Sequence, residues 1–209
     1  MSYGEFITLH GPDGSGKTTT AVETVRQINS FGVESVFFGD WVCSIDGPGP
    51  NPFSENSIKQ RMDEEGTPSE FLLLQVAKVA WDSSHIDGLV GEGVTVLKDR
   101  GIYDVRSDLV YRGIDPDATF NQLIREPDGA FFLDVGEAMR RQRLATKTDI
   151  EPEDWAENKP GTRMYHMARN VLEQVRCGNN GTIIDSTNRT LHEVSALIVE
   201  KILERRDNK

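Results

Sequence analysis

The chain is short of cysteine, of aromatic residues and of positive charge, and it contains no long apolar run. Each shortage closes off a class of protein. Two cysteines in 209 residues, Cys43 and Cys177, keep neither a metal-type nor a redox-type spacing. That argues against a disulfide framework and fits free thiols in a reducing compartment, the cytoplasm. Lys and Arg number 23 against 34 Asp and Glu, a formal net charge of −11. A protein that coats nucleic acid needs many clustered cations, so no nucleic-acid partner is expected. One small basic pocket on an acidic surface stays compatible with that balance. No apolar stretch approaches the roughly 18–20 residues of a membrane span, so no membrane partner is expected either. The first ten residues, MSYGEFITLH, lack the basic start and apolar stretch of an export signal. His10, His85, His166 and His192 form no metal-ligand spacing. Asn158-Lys159-Pro160-Gly161 resembles the start of a guanine-specificity motif without its aspartate, which discounts a GTPase.

What remains is an alternation of strands and helices over one domain, residues 1–209, without internal repeats. Residues 6–9 are short, apolar and β-rich. After a glycine-rich turn, Ala21, Val22, Val25 and Ile28 recur at helical spacing until Gly32. Residues 33–38 read as a second strand and 39–53 as a loop rich in Gly, Pro and Asp. A helix opens at Ser69 and is apolar on most sides over 71–81, the pattern of a buried helix. Further strands are expected at 94–97, 130–133 and 182–184. Further helices are expected between the third and fourth strands and at 137–144, 162–175 and 191–203. The polar, acidic stretch 146–159 reads as a mobile loop, a lid of about 145–160. Strands alternating with helices imply an α/β fold with a mainly parallel sheet. Ligands of such sheets sit beyond the carboxyl ends of the strands. The glycine loop, Asp99-Arg100, Asp134 and Asp185-Ser186-Thr187 all fall there.

The glycine loop is the strongest motif. Gly11 to Thr18, GPDGSGKT, matches G-x-x-x-x-G-K-[ST] between a strand and a helix. Glycines let backbone N–H groups converge on phosphate oxygens, and the helix N-terminus adds its positive end. Gly11, Asp13, Gly14, Ser15, Gly16, Lys17, Thr18 and Thr19 are the expected ATP-binding residues. Lys17 would reach the β- and γ-phosphates, and the Thr18 hydroxyl would ligand Mg²⁺.

Other residues admit two readings. Asp99-Arg100 is either an ordinary strand-end pair or a carboxylate near the metal beside an arginine on phosphate. Arg140 and Arg143 share a helix face while Arg141 diverges. They either form a solvated face or close over ATP and stabilise charge on the transferring phosphoryl group. Lys78 interrupts an apolar helix, so it either snorkels to the surface or meets an anionic ligand. Trp41, Trp81 and Trp155 read as packing residues.

Together these segments resemble a nucleoside-monophosphate kinase of the thymidylate kinase family. The matching pieces are FITLHGPDGSGKTTT, EFLLLQVAK, VLKDRG, VYRG, FFLDVGEAMRRQR and IDSTNRTLHEV, in the family order along nearly the whole chain. The resemblance implies a P-loop NTPase fold, a five-stranded parallel sheet flanked by helices with a lid segment. It implies transfer of the γ-phosphoryl group from ATP with Mg²⁺ to a deoxynucleoside monophosphate, dTMP to dTDP. It places Asp13 at the sugar 3′-hydroxyl of the acceptor, Arg100 on the acceptor phosphate, and Asp99 beside it as a metal ligand with Thr18. Lys78 falls where the family has an acceptor-phosphate arginine, and Leu74 where an aromatic often stacks on the base. Tyr111 and Arg112 fall on a Tyr-Gln pair near the base. Residues 185–189, Asn188 among them, fall on the loop against adenine. Gly14 stands where some relatives carry an arginine; in its absence the lid side supplies cations, here Arg140, Arg141, Arg143 and Lys147. The expected catalytic set is Lys17, Arg100, Arg140 and Arg143. Relatives are commonly homodimers.

Four departures touch the acceptor site. Gly39-Asp40-Trp41 replaces an arginine-bearing motif after the second strand, Lys78 replaces an arginine and loses its bidentate fork, Leu74 replaces an aromatic, and 99–111 is about three residues longer than the family pattern. The ATP site keeps its pattern. Two rival readings are a kinase for another nucleotide or nucleoside, and a non-catalytic P-loop regulator.

Overall fold

Three strand segments of this chain are apolar almost without interruption, the pattern of strands covered on both faces. In the computed structural model, which describes residues 4–39, 67–116, 124–146 and 162–207, they form the middle of a parallel sheet. The strands are β1 (Phe6–His10), β2 (Ser35–Phe38), β3 (Thr95–Asp99), β4 (Gly129–Asp134) and β5 (Gly181–Asp185). They pair in parallel in the order β2-β3-β1-β4-β5. The helices among the described residues are α1 (Lys17–Ser30), α2 (Pro68–Gly91), α3 (Ile102–Tyr111), α4 (Glu137–Leu144), α5 (Arg163–Cys177) and α6 (Leu191–Asp207). The chain therefore forms the expected five-stranded parallel α/β sheet flanked by helices.

The two sheet faces are buried differently. On one, Ile7, Leu9, Leu97, Phe131 and Leu133 pack against Ala21 and Ile28 of α1 and Val194, Ile198 and Ile202 of α6. On the other, Phe6 and Val96 meet Ile86 and Val90 of α2, while Ala130 and Phe132 meet Val171 and Val175 of α5. Each such Leu, Ile or Phe contributes about 1.5–3 kcal/mol by leaving water. β1 lies between β3 and β4: the chain runs from β1 to β2 and β3 on one side of it, then crosses to β4 and β5 on the other. The crevice that opens at such a switch point is where ligands of open parallel sheets bind.

Element boundaries moved for identifiable reasons. β2 begins at Ser35, not at 33, because a turn holds the preceding residues: Val33 N donates to Ile28 O at 3.4 Å and Ser35 N to Asn29 Oδ1 at 2.8 Å. α2 is capped by Thr67 rather than opened by Ser69. Thr67 accepts from Glu70 N at 3.3 Å and donates its own N–H to the Glu70 carboxylate at 2.8 Å, a reciprocal box with Pro68 at the first helical position. The same helix continues ten residues past 81, to Gly91. No helix among the described residues is long and apolar enough to cross a membrane. Residues 40–53 of the expected loop, residues 147–160 of the expected lid, and Trp41, Cys43, Lys147 and Trp155 lie outside the described residues.

Candidate active site

The site begins where β1 ends. The backbone turns sharply at Gly11 (φ +139°) and Gly14 (φ +83°), left-handed conformations that suit glycine. Space demands glycine at Gly11, where a Cβ would lie 2.6 Å from Leu133 O, and is tight at Gly14, where one would lie 3.0 Å from Leu144 Cγ and 3.1 Å from Arg140 Cγ. The loop is therefore pressed against β4 and α4. Gly16 caps α1 without a side chain, which leaves the first-turn N–H groups facing the loop. Inside the curve lies the Lys17 ammonium, only 7% of the residue being exposed. Its Nζ donates to Gly11 O at 2.9 Å, Pro12 O at 3.1 Å and Asp13 Oδ1 at 3.2 Å.

Sheet register brings the next segment in. Leu9 pairs with Asp99, so the end of β3 stands beside the loop. The Thr18 hydroxyl donates to Asp99 Oδ2, joining the two residues expected to hold a metal. Their donors are a hydroxyl and a buried carboxylate, hard oxygens of the kind Mg²⁺ takes one or two at a time alongside water and phosphate oxygens. No group of three or more His, Cys, Asp or Glu that could hold a metal occurs among the described residues. The donor set thus fits a cation shared with phosphates rather than a protein-only cage.

Arg100 follows with φ +62°, the one left-handed non-glycine residue among those described. Such a backbone costs on the order of 1–3 kcal/mol and persists only where the surroundings enforce it. Here Arg100 N donates to Leu9 O at 2.8 Å, and its guanidinium bridges two carboxylates. One arm donates to Asp13 Oδ1 at 2.6 Å and the other to Asp104 Oδ1 at 3.2 Å. Asp104 lies in the first turn of α3. Burial works against its charge, but the His10 ring, Arg100 and Lys17 outweigh it and hold the carboxyl well below the usual carboxylate range. Arg100 and Asp104 also border a cleft whose opposite wall includes Phe132, Met164 and Met167.

α4 braces the loop from outside. Arg140 is 1% exposed and donates to Asp13 O at 3.3 Å. Arg143 donates to Ser15 O at 3.1 Å and Ser186 O at 2.9 Å, tying the P-loop to the turn after β5. Arg141 points away and pairs with Glu137 on the surface. The turn itself is fixed by Ser186 N and Oγ donating to Asp134 O at 2.7 and 2.9 Å, and by Thr187 accepting from Gly136 N at 2.8 Å. Asn188 is exposed on that turn, and Thr19 is exposed on α1.

The acceptor candidates are more scattered. Leu74 and Lys78 are both buried on α2, one turn apart. At 5% exposure Lys78 does not snorkel to the surface. Tyr111 is exposed, its ring 6.0 Å from that of His166 on α5, and Arg112 pairs with Asp108 at 3.3 Å. Tyr111 therefore turns toward α5, Arg112 folds back onto Asp108 of α3, and none of these contacts draws either into the loop's network. Residues that sequence reading passes over include Asp104, Asp108 and the buried Lys98–Asp82 pair, 3.0 Å apart; His10 enters it only as a rejected metal ligand, and Ser186 only as part of the turn 185–189. Asp104 carries one local signal, its i+4 spacing from Arg100. His10 carries none.

The family model described as thymidylate kinase matches residues 9–198. The chain is 26% identical over 190 residues to the thymidylate kinase of Wigglesworthia glossinidia brevipalpis, covering 84% of this chain and 77% of that one. It is 25% identical over 209 residues to the thymidylate kinase of Blochmanniella pennsylvanica, covering 92% of each. Its fold is similar to that of the solved thymidylate kinase from Candida albicans, with a TM-score of 0.68 over 100% of this chain and 95% of that one. At 16% identity that likeness shows the fold alone.

Proposed function

Because the chain belongs to the thymidylate kinase family, we propose that it transfers the γ-phosphoryl group of ATP to the 5′-phosphate of dTMP, yielding ADP and dTDP. The observation that carries this reading is the meeting of Lys17, the Thr18–Asp99 pair, Asp13 and Arg100 where β1 and β3 end. In the transfer, an oxygen of the dTMP phosphate forms a bond to the γ-phosphorus. The bond from that phosphorus to the β-bridging oxygen breaks, and ADP leaves with the electron pair. Such chemistry asks mainly for positioning and charge neutralisation.

Lys17 would take the β- and γ-phosphates alongside the P-loop N–H groups. Thr18 and Asp99 would hold Mg²⁺, which when bound neutralises charge on the phosphate oxygens. The Arg100 guanidinium suits the acceptor phosphate, which it can grip with two parallel N–H donors. Asp13, at the mouth of the loop, suits the acceptor sugar hydroxyl. Arg140 and Arg143 hold the loop's carbonyls from α4, so they steady the phosphate cradle and add positive charge to it. The accepting phosphate oxygen is already ionised, so no strong general base is required. Leu74, Lys78, Tyr111 and Arg112 stay in the proposal as acceptor-side residues on the strength of the family resemblance. A cytoplasmic location and a homodimeric state belong to the same proposal.

The test is ADP release coupled to a reporter, measured across a panel of nucleoside monophosphates and nucleosides. Strong preference for dTMP supports the reading. ATP binding with no acceptor-dependent ADP release favours the P-loop regulator and overturns it.

A further inference from the structure

His10 closes β1 and is fully buried, directly before the first glycine of the phosphate loop. Its ring is fixed on three sides. Nδ1 lies 2.6 Å from Asp104 Oδ2, Nε2 lies 2.9 Å from Thr8 Oγ1, and the ring stacks on Tyr103 at 5.3 Å. An ionised Asp104 can only accept, so Nδ1 is the donor in this pair. The Asp104 carboxylate then acts as a junction. Oδ2 takes His10 and the Gly101 N–H at 3.2 Å, while Oδ1 takes Arg100 at 3.2 Å. The far side of the same guanidinium is held by Asp13 at 2.6 Å.

The result is a continuous chain, His10–Asp104–Arg100–Asp13–Lys17, which links the phosphate loop to the start of α3. Arg100 needs such an anchor. Its left-handed backbone sends the side chain off in an unusual direction, and a long flexible cation loses rotamer freedom when it grips a ligand unless it is held beforehand. Asp104 carries charge throughout the working range because His10, Arg100 and Lys17 surround it, even though burial opposes that charge.

We infer that His10 and Asp104 are positioning residues for the acceptor phosphate: His10 fixes the Asp104 carboxylate, and Asp104 fixes the guanidinium of Arg100 toward the cleft. The inference rests on the reading of Arg100 as the group that binds the acceptor phosphate. Lys17, on the donor side, sits at the far end of that chain and keeps two further acceptors that do not depend on Asp104, Gly11 O at 2.9 Å and Pro12 O at 3.1 Å. Loss of the His10–Asp104 pair therefore weakens one substrate and not the other.

The experiment is steady-state kinetics with dTMP and ATP varied separately, on wild type, Arg100→Ala, Asp104→Asn, His10→Asn and His10→Gln. Thermal melting of each variant accompanies the rates, since lost stability lowers the active fraction without moving either KM. Arg100→Ala raises the KM for dTMP most. Asp104→Asn raises it on the order of tenfold, the scale of one hydrogen bond to a charged group, and leaves the KM for ATP in place. His10→Asn keeps an amide N–H near the former Nδ1 and stays close to wild type. His10→Gln carries its amide out to the former Nε2 and behaves like Asp104→Asn. If Arg100→Ala raises the KM for dTMP while Asp104→Asn does not, the positioning role is wrong and the role of Arg100 stands. If Arg100→Ala leaves that KM unchanged, both fall. Equal rises for dTMP and ATP in Asp104→Asn also overturn the inference.

Discussion

Arg163, the first residue of α5, donates from Nε to Asp108 Oδ1 at 2.6 Å, and the second oxygen of Asp108 takes Arg112 at 3.3 Å. Asp108 is 4% exposed on α3. The start of α5, just beyond the expected lid, is thereby pinned to the helix that follows Arg100. Asp108→Ala removes the carboxylate that both arginines share. With Arg163 31% exposed, water softens the loss, and about 1–3 kcal/mol of stability is expected to go. The urea midpoint reads it, and Asp108→Asn, which keeps an acceptor, shows a smaller drop.

Gly11→Ala tests the cradle. The new methyl group would sit 2.6 Å from a backbone oxygen of β4, and the left-handed φ adds strain. A cost of about 1–3 kcal/mol is expected from the backbone alone. The melting temperature falls and the KM for ATP rises, because β4 cannot retreat without opening the sheet beside it.

The phosphate-loop motif is legible in the sequence because it is local. The strand, the glycine turn, Lys17, Thr18 and α1 lie within 25 consecutive residues, from 6 to 30, so spacing alone suffices. α2 shows the opposite case. Asp82, Ser83 and Ser84 break the apolar pattern after 81, yet Asp82 is buried because Lys98 of β3 reaches it at 3.0 Å. Ser83 is buried too and accepts from the Arg125 N–H at 3.4 Å. Partners 16 and 42 residues away turn polar residues into core residues, and no periodicity encodes them. The same holds for His10, whose partner lies 94 residues on. The shared face of Arg140 and Arg143 shows in the sequence, but their carbonyl partners, Asp13 O, Ser15 O and Ser186 O, gather only once β1, β4 and β5 are paired.

Metal dependence checks the Thr18–Asp99 pair. Chelation is expected to stop turnover, since phosphoryl transfer relies on metal neutralisation of phosphate charge. Thr18→Ala raises the Mg²⁺ concentration needed for half-maximal rate at fixed ATP. A Mg²⁺ titration on both proteins reads the shift. An unchanged curve would remove Thr18 from the metal site.

Acid weakens the fold through its depressed carboxyls. Arg26 and Gln27 hold Glu23 at about 2, and Asp104 lies well below its ordinary 3.8. Hydrogen bonds from Thr67 and Thr190 lower Glu70 and Glu193 at their helix starts. Folded values below unfolded ones give stability that is present above the unfolded values, 3.8 to 4.5, and lost as pH falls through the folded ones. Melting temperature is therefore expected to hold near neutral pH and fall below about pH 4.5. Asp104→Asn, lacking one linked group, shows a shallower acid limb.

Lys17→Ala is expected to lower turnover on the order of a hundred- to a thousandfold, the scale of losing one preorganised charge at a transition state. Near-normal turnover in that variant would take the phosphate-binding role away from the loop.

The central claim is that the γ-phosphoryl group moves from ATP to dTMP. The most direct measurement follows γ-labelled ATP incubated with enzyme, Mg²⁺ and dTMP, with the products separated and counted. Label appearing in dTDP, mole for mole with ADP and only when dTMP is present, is the predicted result. Label released as inorganic phosphate, or left on ATP while dTMP stays unchanged, would contradict it.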